Sequence, residues 1–309
     1  MNSVDLMSSK AVMASGRIAV RIADLTLVLV SDDPDLTLGV TGAMEACMTH
    51  SDQADMHVLV TWGDGKEFQV DHARTPLFDS GAVWHLSDEG GRYRFRFTSP
   101  RFGRFPYKVA AFNKDFTRGT IALDRMAFPA GRPINPLEYP LDELMLLNML
   151  ARGRGVEVHA CGVADADENG SLFLGQSGAG KTTTARIWDQ VPGITILSDD
   201  RIILRNVGGT IWMYGTPWHG EGRLSHPGQA PLRQIYFLRH GPANELVLQP
   251  SRDAMTRMFA CSSPLFHSAD ALDFTLSLLN EITARIPAYE LRFFPDRRVL
   301  DLLPHSRAC

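Results

Sequence analysis

Ser171–Trp188, SLFLGQSGAGKTTTARIW, holds the residues whose types and spacing are best suited to chemistry. Gly175, Gly180, Lys181 and Thr182 occupy the fixed places of G-x-x-x-x-G-K-[ST], after an apolar strand pattern and before a helix pattern. Glycines let the chain curl so that several N–H groups point at one anion. The helix opening near Lys181 adds its positive end. Lys181 supplies a compact charge for outer phosphates, and the Thr182 hydroxyl supplies a ligand for Mg²⁺. Gly175, Gln176, Ser177, Gly178, Ala179, Gly180, Lys181, Thr182 and Thr183 are therefore expected to hold ATP with Mg²⁺. Of the 31 basic residues only five are lysine, and Lys181 is the only lysine after Lys114.

Downstream, ILSDDRIIL places Asp199 and Asp200 at the end of a short apolar strand. Phosphoryl transfer needs a carboxylate for the metal and one near the attacking hydroxyl. Repulsion between adjacent carboxylates is expected to raise one pKa toward neutrality, suiting it to act as a base. Tyr214–Arg223, YGTPWHGEGR, is too aromatic and charged for a featureless turn. There Glu221 is expected as a second metal carboxylate, Arg223 as a phosphate contact, and Trp218 and His219 as the lining of an acceptor pocket. Arg233 and Arg239 flank the strand QIYFL and are expected at the surface, with reach to the γ-phosphate as the alternative for either.

Together, the loop Gly175–Thr182, a histidine sixteen residues upstream (His159) and the string Asp199-Asp200-Arg201 resemble the HPr kinase/phosphorylase catalytic domain. The wider group includes the PEP carboxykinases. The resemblance spans about Val156–Arg205. It implies an α/β fold, with a C-terminal HPr-kinase/PEP-carboxykinase-like P-loop kinase domain behind a β-rich N-terminal domain. It also implies that His159 sits near the transferred phosphate, that Asp200 acts as base toward the acceptor hydroxyl with Lys181 on the donor, and that Asp199 supports Asp200 or the metal. The metal ligands then expected are Thr182, Asp199 and Glu221. The Glu-Ile-Arg-Gly signature of HPr kinases is replaced here by Tyr214–Arg223, and residues 1–130 do not match their usual N-terminal domain.

The elements that must position these groups are legible as patterns. Strands are expected over Arg17–Val30, Met56–Trp62, Lys108–Phe112 and Gly119–Leu123, and in the alternating stretch around Tyr93, Phe95 and Phe97. Arg92, Arg94 and Arg96 would then form a solvated basic face with Arg101, Arg104 and Lys108 nearby. Recruitment of an acidic peptide is the functional alternative for that face. Four prolines in Phe128–Pro140 mark a linker, dividing a β-rich domain at 1–135, suited to acceptor recognition, from a kinase domain at 136–309. A helix follows Pro140, with Leu141, Leu144, Met145, Leu147 and Leu150 on a wide apolar face. From Val156 onward strands and helices alternate, with strands at Val156–Cys161, Ser171–Leu174, Thr195–Leu197, Ile202–Leu204, Ile211–Tyr214, Gln234–Leu238 and Tyr289–Phe294. Helices are expected over Lys181–Trp188, Ser251–Phe259 and Ala269–Arg285.

Composition narrows the field. A net charge of −4 gives no basic field toward nucleic acid or anionic lipid. No apolar run approaches a membrane span, and the four cysteines have no metal-ligand spacing, so a cytoplasmic protein is expected. The first reading is an ATP-dependent kinase that phosphorylates a hydroxyl of a protein, peptide or small alcohol; the same resemblance implies a homo-oligomer. Two others stay open: a nucleotide-binding regulatory ATPase without an acceptor, and a PEP-carboxykinase-like enzyme. The latter calls for a further lysine, whereas Lys181 is already committed.

Overall fold

The computed structural model describes residues 16–69, 75–81, 83–103, 105–129, 131–176, 178–294 and 296–303. Ser177 and Arg104 lie outside them. The chain is mixed α/β, with two large sheets in two compact units that divide between Asp142 and Glu143; the second unit also takes Ile22–Asp24.

The first unit is an eight-stranded sheet of β1 (Arg17–Ile22), β2 (Leu25–Val30), β3 (Met56–Trp62), β4 (Phe78–Asp79), β5 (Trp84–Glu89), β6 (Arg92–Phe97), β7 (Lys108–Asn113) and β8 (Arg118–Leu123). Its order is β1-β2-β3-β8-β7-β6-β5-β4. The run expected as one strand over Arg17–Val30 is broken at Ala23 and Asp24, whose φ values are 50° and 58°. Phe95, Phe97, Phe112 and Phe116 are buried, and Phe112 stacks on Phe116 at 5.1 Å. Each such ring contributes about 2–3 kcal/mol by leaving water.

The basic face of β6 differs from its expectation. Arg96 is buried, its Nη1 donating to Glu89 Oε1 at 2.7 Å and to Ser87 Oγ at 3.0 Å. Arg94 Nε lies 3.1 Å from the other Glu89 oxygen. Lys108 is fully buried, with Nζ 3.1 Å from Glu138 Oε1 and 4.8 Å above the Phe97 ring. Alternation left these side chains looking solvated, whereas Glu89 on β5 and Glu138 outside the strands have drawn them in. Burial alone would raise the Glu89 pKa. The Arg96 and Ser87 hydrogen bonds and the charges of Arg96 and Arg94 win, bringing it down to about 2. With an ordinary value of 4.5 in the unfolded chain, Glu89 gives its full stabilisation above that pH, and it is lost as pH falls toward 2. Glu89→Gln is expected to lower stability at pH 7 by about 2–3 kcal/mol and to flatten the loss over that acid range, read by denaturant melts at several pH values.

The second unit starts within α1 (Leu141–Leu150), followed by β9 (Val156–Ala164), β10 (Gly170–Leu174), α2 (Lys181–Trp188), β11 (Thr195–Ser198), β12 (Arg201–Val207), β13 (Thr210–Gly215), β14 (Gln229–His240), β15 (Glu245–Leu248), α3 (Ser251–Phe259), α4 (Ala269–Arg285) and β16 (Ala288–Phe293). Strand order is β10-β9-β12-β13-β14-β16-β15, and β10 also pairs with β14, so five strands close a circuit. β10, β14 and β16 run parallel. Alternation assigns their faces: Leu172, Leu174, Ile235 and Phe237 pack toward Ala254, Met258, Leu278 and Ile282 of α3 and α4. Phe173, Tyr236 and Leu238 pack toward Ala185 and Trp188 of α2. Helices on both faces bury the parallel core, and its carboxyl ends are left to face a ligand crevice. In α1, Leu147 is only half-buried, while Asp142, Glu143 and Asn148 are buried. Among the described residues no helix is long and apolar enough to cross a membrane.

Candidate active site

Strand register explains why a histidine sixteen residues before the glycine loop matters. The turn at Asp165–Asn169 folds β10 back on β9, pairing Leu174 with Ala160. The chain leaves the sheet at the next residue, Gly175, beside His159. On the other edge of β9, Ser198 pairs with Gly162 and Arg201 with His159, with an irregularity at Leu197. Asp199 and Asp200 thus sit in the break between β11 and β12, facing the start of the loop. Bulges of this kind re-aim side chains. Asp200 Oδ1 lies 2.8 Å from His159 Nε2, and Arg201 Nη1 donates to Asp200 Oδ2 at 2.8 Å.

The loop itself turns through left-handed backbone at Gly178 (φ 81°) and Gly180 (φ 104°), which side-chain-bearing residues rarely adopt. α2 begins immediately afterwards, anchored by buried Trp188 near the Phe173 ring. Lys181 folds back, its Nζ donating to Gly175 O at 2.7 Å and Gln176 O at 3.2 Å. Burial pulls the Lys181 pKa down, and the Asp200 charge opposes that pull.

A cavity of about 420 Å³ gathers His159, Gly178, Gly180, Lys181, Thr182, Thr183, Asp199, Asp200, Gly220 and Glu221. A second, of about 450 Å³, contains Gly175, Gln176 and Ala179 with Phe237, Arg239, His240 and Arg257. His240 Nε2 lies 2.8 Å from Gly178 O, and the Arg257 guanidinium sits 4.4 Å above the Phe237 ring. A third, of about 310 Å³, adjoins His159, Gln176, Arg201, Cys261, Ser262 and Ser263.

Asp199 is buried and works on the Tyr214–Arg223 segment. Its Oδ1 accepts from Gly220 N at 2.8 Å and its Oδ2 from Gly222 N at 2.8 Å. Ser198 Oγ donates to Trp218 O at 2.9 Å, and Thr216 Oγ1 to Arg201 O at 2.7 Å. These bonds hold Glu221 at the cavity. A Cβ on Gly222 would come within 2.5 Å of Asp199 Oδ2. Asp199→Ala should leave two backbone donors unpaired and cost about 2–4 kcal/mol, read as a lowered Tm and proteolytic cutting near Gly220.

The expectation of a raised pKa in the aspartate pair is corrected at Asp200. Burial does push it up, but the His159 hydrogen bond and the charges of Arg201, His159 and Lys181 together hold it below the usual carboxylate value. Arg223, Trp218 and His219 line none of the three cavities; Arg223 and His219 are exposed and Trp218 is half-buried. Arg233 is exposed and donates to Asn169 Oδ1 at 3.2 Å. Arg239, expected at the surface, is exposed and also borders the second cavity. His240, Arg257 and Cys261 reach the site from distant segments without a spacing signal.

The donor set suits a hard cation: Thr182 hydroxyl, Asp199 carboxylate with a lone pair left on each oxygen, and Glu221. Among the described residues no three His, Cys, Asp or Glu side chains converge on one metal position. Such a set fits Mg²⁺ that takes its remaining ligands from phosphate and water.

By fold the chain is a mixed α/β protein with two large sheets. Among solved structures it is similar to the HPr(Ser) kinase/phosphatase from Coxiella burnetii: 12% identity, 46% of this chain and 82% of that chain covered, TM-score 0.29. No protein-family model and no curated protein matches the chain.

Proposed function

We propose that the protein is an ATP-dependent kinase that transfers the γ-phosphate to a hydroxyl. The observation that carries this reading is the junction of three groups around one cavity: the glycine loop with Lys181, the carboxylates Asp199 and Asp200, and His159. An inert strand–helix turn has no need of that gathering.

In this reading the triphosphate lies on the loop amides and the amino end of α2. Lys181 leaves its carbonyl partners to contact the outer phosphates. The nucleoside end of the donor occupies the second cavity, where apolar Leu174, Phe237 and Leu238 form walls. Thr182, Asp199 and Glu221 would hold Mg²⁺, which supplies charge neutralisation at the donor phosphates. The acceptor arrives past His159. Its hydroxyl donates a hydrogen bond to Asp200, and its oxygen attacks the γ-phosphorus as the bond to the bridging oxygen breaks and ADP departs. The proton passes to the Asp200–His159 pair. A carboxylate held ionised suits this step, since a loose transition state asks chiefly for orientation of the nucleophile.

The test is ADP release under Mg²⁺ and ATP against a panel of hydroxyl compounds and serine peptides. Release that rises with one of them, with label appearing on that compound, supports the kinase. Slow release indifferent to all of them indicates the regulatory ATPase instead.

A further inference from the structure

The third cavity opens from His159, which also borders the phosphate cavity, so a hydroxyl entering there meets the His159–Asp200 pair. Among the described residues, the one arginine on its wall is Arg201. Behind that wall the guanidinium is surrounded by acids. Nη1 lies 2.8 Å from Asp200 Oδ2, and Nε lies 3.1 Å from Glu143 Oε1 and 3.5 Å from Glu157 Oε1. The Glu157 side chain is 0% exposed and that of Glu143 11%. Both carboxyls meet the same Arg201 Nε, and Ser263 Oγ donates to Glu157 Oε1 at 3.1 Å. Burial first, then the neighbouring Glu143 charge, keeps Glu157 protonated well above the ordinary carboxyl range.

The charge count is therefore lopsided. At Arg201 itself, Glu143 and Asp200 bring two negative charges against one positive, while Lys181 shares Asp200 from the first cavity. Positioning Asp200 needs only Arg201 and His159. Burying two further carboxyls is costly and calls for another purpose. On the far side of the loop the balance is the reverse: Glu290 is shared by Arg239, Arg257 and Arg292, and Glu245 pairs with Arg292.

We propose that Glu143 and Glu157 set acceptor specificity by cancelling the charge of Arg201, so that the third cavity admits an uncharged hydroxyl-bearing group and rejects one with a carboxylate or phosphate beside the hydroxyl. The hydroxyl comes from a free alcohol or from a serine or threonine side chain; about 310 Å³ holds either. This rests on the kinase reading.

The test uses the full chain loaded with Mg²⁺ and a non-hydrolysable ATP analogue, whose uptake is measured first. Failure of that uptake counts against the kinase reading and is seen before any probe is added. Four probes then distinguish the sources by saturation-transfer NMR: glycerol against glycerate, and a blocked Ala-Ala-Ser-Ala-Ala peptide against Ala-Asp-Ser-Asp-Ala. The wild type should bind the neutral member of one pair at least about tenfold better than its anionic partner. Glu157→Gln leaves the Glu143 charge in place and should keep that ratio. The double variant removes the charge and should raise anionic binding at least about tenfold, with neutral binding unchanged. A merely structural role would weaken neutral and anionic probes together, and in Glu157→Gln too. Equal binding of neutral and anionic probes by the wild type overturns the proposal even if the double variant does not fold. An unchanged ratio in a folded double variant overturns it as well, and so does the absence of binding by all four probes.

Discussion

Asp200→Asn should abolish most phosphate transfer, lowering kcat by about 10²–10⁴-fold, while leaving affinity for Mg²⁺ and nucleotide within a few-fold. The substitution is nearly isosteric. It preserves an oxygen for His159 Nε2 or Arg201 Nη1, which lie 2.8 Å from the two carboxylate oxygens. It removes the charge that orients the incoming hydroxyl. Because the wild-type carboxyl is held below its usual pKa, activity should not fall on the acid side until the pH drops below the ordinary aspartate range. Full transfer by a folded Asp200→Asn protein would remove Asp200 from the base role and leave His159 as the proton acceptor.

Lys181→Met is the second substitution with a large expected effect. Methionine keeps much of the stem packed in its buried place and deletes the ammonium. Transition-state stabilisation should drop by about 3–4 kcal/mol, a loss of roughly 10²–10³-fold in kcat/KM. Lys181→Arg should not rescue it. The pocket is shaped for a compact charge that reaches the Gly175 and Gln176 carbonyls, and a planar fork needs more room. Rescue by arginine would mean that any positive charge suffices. Melting temperatures of the three proteins separate loss of function from loss of fold.

Much of this site was legible because its residues are local in sequence. The loop and α2 follow from glycine, lysine and an amphipathic pattern within eighteen residues, and α3 and α4 coincide with their expected spans. Three strands escaped notice, the two-residue Phe78–Asp79 among them. Trp84–Glu89 ends in polar residues that pair with the arginines of β6, and Glu245–Leu248 is a four-residue edge strand. His240, Arg257 and Cys261 are brought in by the closing of the β10–β14 pair, which no local pattern announces. Glu157 did leave a signal. It stands two residues before His159 on one strand, hence on the same face, opposite Ile203, next to the Arg201 partner of His159. Read as one alternating strand, that face collects the acid, the imidazole and the guanidinium. The role of Asp199 was hidden because its backbone partners lie twenty-one and twenty-three residues on, in a loop whose course depends on the tertiary fold.

The central claim is an anion cradle beside paired acids, and equilibrium titration with ATP in the presence and absence of Mg²⁺ addresses it most directly. Saturable one-to-one binding in the micromolar range, tightened by Mg²⁺ and weakened in the Lys181→Met protein, is the predicted result. A folded wild-type protein that takes up neither ATP, GTP nor pyrophosphate with Mg²⁺ present would contradict the account.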